Sequence, residues 1–267
     1  CDIEFIRKRQ DQIKVLIDNE ELMAHLKENL SNFRNVESLL KISCITPADD
    51  AEKALQTNIQ MALLLKNCLE AVKPLALVIV DATSPSFETS RQLLSSTIFN
   101  DIIEKIDNVI QPNIHENRLA KKFFQYLYTV KAGVNETVDF LRQIYAESID
   151  KINDYVEDLT QSTLLPLKIV HTVKLGYHMV LRNPNSPNAP PHFDFIYRKG
   201  INTYLTTAEL MTMNEKVQFI ANDIIRISNS ILCENLLAVA KEVDFIYYLV
   251  SIVIEFDILQ ALAEVSM

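Results

Sequence analysis

Apolar residues recur every three or four positions through most of this chain, and one stretch in the middle abandons that period. The first 115 residues read as several medium helices. Phe5, Ile6, Ile13, Val15 and Leu16 open an apolar face that continues through Leu22, Leu26, Leu30, Val36 and Leu39–Leu40. Pro47-Ala-Asp-Asp predicts a turn before a helix over about 51–72, Pro74 starts another, and Ser84-Pro85-Ser86 is a connector. A further helix is expected through Leu93 to Ile110, stopping at Gln111-Pro112.

From about 117 to 163 the pattern predicts one long helix. Positions 127, 131, 134, 138, 141, 145, 148, 152, 155 and 159 alternate steps of four and three, and eight of the ten are apolar (Leu127, Val134, Val138, Leu141, Tyr145, Ile152, Tyr155 and Leu159), a narrow seam of the coiled-coil kind. At 1.5 Å per residue the rod would reach roughly 65–70 Å. The period then shortens. Lys168–Val173, Gly176–Leu181, Phe193–Tyr197 and Asn202–Leu205 are short, β-branched or aromatic, and separated by turn residues. The proline-rich run over 183–191 suits an exposed loop. Helix resumes at Thr206-Thr-Ala-Glu209, which fits a capping box. The second seam is Leu210, Met213, Val217, Ile220, Ile224, Ile227 and Ile231. Each rod alone would expose its seam, so each is the natural cover of the other.

The expected fold is therefore mainly α: a multi-helical core with an antiparallel lever pair carrying a small β-rich tip. Its divisions are a helical core part (1–116), an outgoing lever (117–163), the β element (164–205), a return lever (206–248) and a closing core helix (249–267). An ordinary bundle with a β excursion is the plainer alternative.

Composition sharpens this picture at one place. The 267 residues carry a net charge of −9. Residues 164–205 hold Lys168, Lys174, Arg182, Arg198 and Lys199 against the single acid Asp194, so the segment is +4 and the remainder −13. Such segregation suggests contact with a polyanion through one patch, on a surface otherwise unsuited to it. These five residues are the candidate DNA-contacting set, and each taken singly is an ordinary solubilising charge. Three glycines (Gly133, Gly176, Gly200) cannot supply a phosphate loop, and no zinc or hydrolase motif is present. His171 and His178 could share one sheet surface. No catalytic, cofactor or metal site is expected in this chain. The four cysteines are widely spaced and read as reduced, buried thiols. The longest apolar run, Phe245 to Ile254, falls short of the roughly 20 residues a spanning helix needs, so no membrane segment is expected. Beginning without Met or a basic–apolar leader, and ending inside a helical pattern, the chain reads as a fragment.

Several segments resemble one family in matching order. Ile6–Leu16 with Phe33–Leu40 resembles the start of the core domain of MutS-family proteins, and Lys131–Tyr145 resembles the start of that family's long helix. Leu165–Lys168, Leu175–Val180, Tyr204–Leu210 and Asn214–Lys216 look like its clamp and the return into its lever. Phe256–Ser266 is similar to its closing core helix. The stretches Gln56–Asn58 to Pro74-Leu and Ile149–Tyr155 are most like the meiotic subfamily, the MutS homologue four group. The resemblance implies a core, two levers and a clamp that embraces DNA. For the full-length protein it implies a nuclear ATPase, with ATP and Mg held in a domain beyond Met267. It further implies MutS homologue five as heterodimer partner and branched recombination DNA as substrate. A mismatch-repair MutS homologue, or a helical protein-interaction module that does not bind DNA, are the competing readings. The 183–191 loop departs from the bacterial pattern and leaves the clamp's contacts open.

Overall fold

The computed structural model describes residues 3–45, 50–80, 82, 84–111, 122–172, 175–182 and 193–267. The chain divides into two compact units, Cys1–Pro112 with Asn229–Met267, and Asn113–Ser228. It is mainly α, with one small four-stranded antiparallel sheet.

The first unit is helical. It contains α1 (Ile3–Asp18), α2 (Glu20–Leu30), a 3-10 segment (Val36–Cys44), α3 (Ala51–Glu70), α4 (Val72–Val80), α5 (Glu88–Leu94) and α6 (Ile98–Asp107). Local chemistry sets the ends of these elements. The Asn19 side chain accepts from the Leu22 N–H at 3.0 Å, and Asp50 accepts from Lys53 N–H at 3.1 Å, each capping a helix start. The helix expected from Leu93 to Ile110 is two, because α5 ends at Leu94 and α6 begins at Ile98. Ser95 and Ser96 supply the break, and the Ser96 hydroxyl accepts from the Ile98 N–H at 3.4 Å.

The last helix, α10 (Val243–Ser266), packs on α1, α2, α5 and the 3-10 segment. Ile246, Leu249, Phe256, Leu259 and Ala263 are fully buried, and the Phe256 ring lies 6.0 Å from that of Phe87. At 24 residues and mean hydropathy 1.7, α10 is long and apolar enough to cross a membrane by length and composition alone. Counting only the unbroken run to Ile254 overlooks this, because Glu255 and Asp257 interrupt an otherwise apolar stretch. In this fold the helix serves as core, with Cys68 and Leu65 of α3 also fully buried in the unit. Burial pushes the Cys68 thiol pKa up to about 11, so the group is a neutral core side chain.

The second unit holds α7 (Lys122–Leu127), α8 (Glu136–Thr163), the sheet, and the first part of α9 (Ala208–Ala240). The single helix expected over 117–163 is thus broken. Residues 128–135 are not helical; Gly133 takes φ +86, and the Asn135 side chain accepts from the Val138 N–H at 3.0 Å to start α8 afresh. Arg142 secures this break, with Nε donating to the Leu127 carbonyl at 2.7 Å and Nη2 to the Val130 carbonyl at 2.8 Å. The outgoing rod is therefore 28 residues, about 42 Å rather than 65–70 Å. At the other boundary, α9 ends at Ala240 and α10 starts at Val243, so the return helix stops short of 248.

Within this unit α8 and the start of α9 run antiparallel. Tyr155 Oη lies 2.8 Å from Thr207 Oγ1, and further from that end Ile144 and Ser148 of α8 line one cavity with Thr212, Glu215 and Phe219 of α9. Val138, Tyr145, Ile152 and Val156 are the buried face of α8; Leu210, Val217, Ala221 and Ile224 are that of α9. The α9 cap is displaced by one residue from the expected box. Thr206 still belongs to a strand, and it is the Thr207 hydroxyl that accepts from the Leu210 N–H at 3.1 Å.

Candidate nucleic-acid interface

The sheet comprises β1 (Leu167–Thr172), β2 (Gly176–Arg182), β3 (Asp194–Lys199) and β4 (Asn202–Thr206), in the order β1-β2-β4-β3. Two hairpins, β1–β2 and β3–β4, meet through the β2–β4 pair. Side chains in register across neighbouring strands share a face, and successive residues along a strand alternate. The register therefore sorts every candidate residue.

One face is the packing face. Leu167, Met179, Leu181, Thr203 and Leu205 lie on it and are buried, with β1 along α8. Asn214 of α9 fixes the sheet's position. Its side-chain oxygen accepts from the Tyr177 N–H at 2.8 Å, and its amide donates to the Tyr177 carbonyl at 2.6 Å. The backbone approaches so closely because residue 176 is glycine: a Cβ there would lie 2.7 Å from Asn214 Oδ1, and φ is +64. Tyr177 is buried beside Tyr145, in the first half of α8, and burial raises the pKa of both hydroxyls. The start of β2 thus lies back along the helix pair. The small β element joins the α8–α9 pair at its 163/207 end, with β1 running along α8.

The other face carries the charge. One row across it is Arg182, Asn202 and Lys199, and the next is Lys168, Val180, Tyr204 and Tyr197. Lys168, Arg182 and Lys199 are all exposed, and among the described residues none of them sits in an ion pair. The Tyr197 and Tyr204 rings stack at 4.1 Å with 11° between their planes, and the His178 ring lies 5.7 Å from Tyr204. His178 Nδ1 is 3.0 Å from the Gly176 carbonyl. Desolvation and the neighbouring Tyr204 raise the Tyr197 hydroxyl pKa, keeping the phenol neutral. The one acid of the segment, Asp194, is opposite Thr206 at the far end of β3 from Lys199.

Three of the five candidates are thus brought together. Arg198 is not among them: it pairs with Thr203 on the packing face, at the edge, and its Nε donates to the Gly200 carbonyl at 3.2 Å across the β3–β4 turn. Lys174 and the 183–191 loop lie outside the described residues. His171 and His178 do not share a surface, since His171 is opposite Tyr177 and His178 opposite Val170, on alternate faces. Sequence reasoning passed over Tyr197 and Tyr204. A bulge between Phe195 and Tyr197 hides them, because it sends Phe195 to the Leu205 side while Tyr197 and Lys199 face the other way.

Gly133 precedes α8, Gly176 packs on Asn214 and Gly200 closes a hairpin, so none forms a strand–loop–helix phosphate cradle. Among the described residues no three His, Cys, Asp or Glu side chains converge as metal ligands.

Residues 133–222, spanning α8, the sheet and the start of α9, match MutS family domain IV. The chain is 27% identical to human MutS protein homolog 4, across 98% of this chain and 28% of that protein. It is likewise 27% identical to MutS protein homolog 4 of Saccharomyces cerevisiae, over 95% of this chain and 29% of the relative. DNA mismatch repair protein MutS of Aquifex pyrophilus is 26% identical over 98% of this chain and 29% of its own length. The chain spans somewhat over a quarter of the length of the relatives it matches. A helix pair flanked by this sheet, a domain IV match over the same residues and alignments over nearly all of this chain agree in one likeness, that of the chain to MutS-family proteins.

Proposed function

We propose that this chain is the core, lever and clamp portion of a MutS-like protein that encircles branched or recombination-intermediate DNA during meiotic recombination. The observation carrying this reading is the shared exposed face of Lys168, Arg182 and Lys199 within the domain IV region. Cations on one face meet phosphates together, whereas scattered ones would serve solubility. Such contacts hold position without reading bases. With a −13 balance over the rest of the chain, retention on DNA comes from closure of a ring more than from tight contact. The chain itself performs no catalysis on this reading. The full-length protein is a nuclear ATPase, with ATP and Mg held by a domain outside these residues, and MutS homologue five supplies the second half of the ring. The meiotic role is what the resemblance to the MutS homologue four group implies, and the alignments with MutS protein homolog 4 support the likeness to that group.

The test is the lifetime of the full-length heterodimer on closed circular DNA and on linear DNA with free ends. Encirclement gives a long lifetime on the circle and rapid loss from the ends. Equal lifetimes on both would remove the ring and favour a module that binds protein instead.

A further inference from the structure

The charged face of the sheet also holds an aromatic row, and the geometry points to a second ligand there: unpaired nucleotides of single-stranded DNA, with a base stacked on Tyr197. This rests on the clamp reading and adds a structure preference to it. Tyr204 and Tyr197 lie side by side on β4 and β3, nearly parallel at 11°, and the buried His178 ring of β2 lies diagonal to Tyr204 at 5.7 Å. A ring held in that way is preorganised, because its neighbour fixes its plane before any ligand arrives. Tyr197 is on the edge strand and 37% exposed, and no other described ring covers its second face.

The cations stand where the backbone of such a strand would run. Lys199 is two residues along β3 from Tyr197, roughly 7 Å away, and Arg182 lies two strands over in the same row as Lys199, roughly 10 Å. Lys168 closes the opposite end of the tyrosine row. Stacking aromatics set among cations that follow a phosphate backbone are what single strands require, whereas bases inside a duplex have both faces occupied by their own neighbours. The bulge at Phe195/Tyr197 matters here, since without it Tyr197 and Lys199 would not join Tyr204 on this face. Asp194, opposite Thr206, is the one acid of this segment and lies one row from Tyr197 on the same face. A protein ligand is still less well matched, because three cations share the face and none of them is in an ion pair among the described residues.

The chain has no Trp, so Tyr197→Trp places a single reporter at the site. Using the full 267-residue chain, its fluorescence is followed on adding a thymidine oligonucleotide, and separately a blunt duplex of the same length. The single strand should quench the indole emission and the duplex should not. In parallel, Tyr197→Leu should weaken single-strand binding by roughly 5- to 100-fold, as loss of one stacked base implies, and change duplex binding less than about twofold. Salt-dependent duplex binding with no quenching, and no loss in Tyr197→Leu, would overturn the stacking site while leaving the clamp intact. Failure of the unaltered chain to bind either DNA would overturn both. Circular dichroism of Tyr197→Leu and Tyr197→Trp separates loss of the site from loss of the fold.

Discussion

Among the described residues, Leu164 is the one where the backbone departs furthest from what its side chain prefers. It ends α8 in the left-handed region, at φ 55 and ψ 25, and is 89% exposed. That conformation costs an L-residue about 1 kcal/mol and is the usual place of glycine after a helix. So exposed a side chain loses little by removal. Leu164→Gly should therefore raise stability by about 0.5 kcal/mol, after the extra freedom that glycine gives the unfolded chain. Leu164→Ala, which keeps the strain, should change it little. Urea denaturation of both variants checks this, and a glycine variant less stable than the alanine variant would contradict it. The same scale explains why the α9 cap lies one residue beyond the expected box. Thr206 and Thr207 are chemically equivalent as caps, and only the reach of β4 decides that Thr207 bonds the Leu210 N–H.

At the scale of elements, the joint between β2 and α9 is the most constrained. Gly176 and Gly200 both take positive φ, +64 and +61, but only Gly176 faces an obstacle. A methyl group on Gly176 would meet Asn214 Oδ1 at 2.7 Å, whereas one on Gly200 would have nothing within 4 Å. Gly200→Ala should cost the strain alone, on the order of 1 kcal/mol. Gly176→Ala should cost about 1–3 kcal/mol more, because displacing Asn214 breaks its bonds to both backbone groups of Tyr177. Adding Asn214→Ala should then cost less than it does alone. Equal costs for the two glycine variants, measured by denaturation, would contradict this account of the joint. The four strands were legible because β-branched and aromatic residues interrupt the three-four period between turn residues. The break before α8 was not, since Leu127, Val134 and Val138 keep the helical spacing straight through it. What stops the helix is a capping side chain on Asn135 and a left-handed Gly133, weak local signals beside a strong apolar pattern. The bulge in β3 was hidden for a similar reason. Alternation assigns Phe195, Tyr197 and Lys199 to one face, and only pairing with β4 shows Ile196 as the extra residue.

For the whole molecule, the segregation of basic residues was readable from composition, but their division between faces needed the register. Lys168, Arg182 and Lys199 share the open face and Arg198 does not, and this division is the claim on which the DNA reading stands. Each cation that meets a phosphate on duplex DNA steepens the fall of log affinity with log salt by about 0.9. The most direct test is therefore the salt dependence of duplex binding by the full chain and four neutralised variants, Lys168→Gln, Arg182→Gln, Lys199→Gln and Arg198→Gln. Each of the first three should make the slope shallower by about 0.9 if its cation reaches a phosphate, and Arg198→Gln should leave it nearly unchanged. A slope unaltered by the three open-face variants, or one reduced as much by Arg198→Gln, would contradict a DNA-facing surface on this sheet.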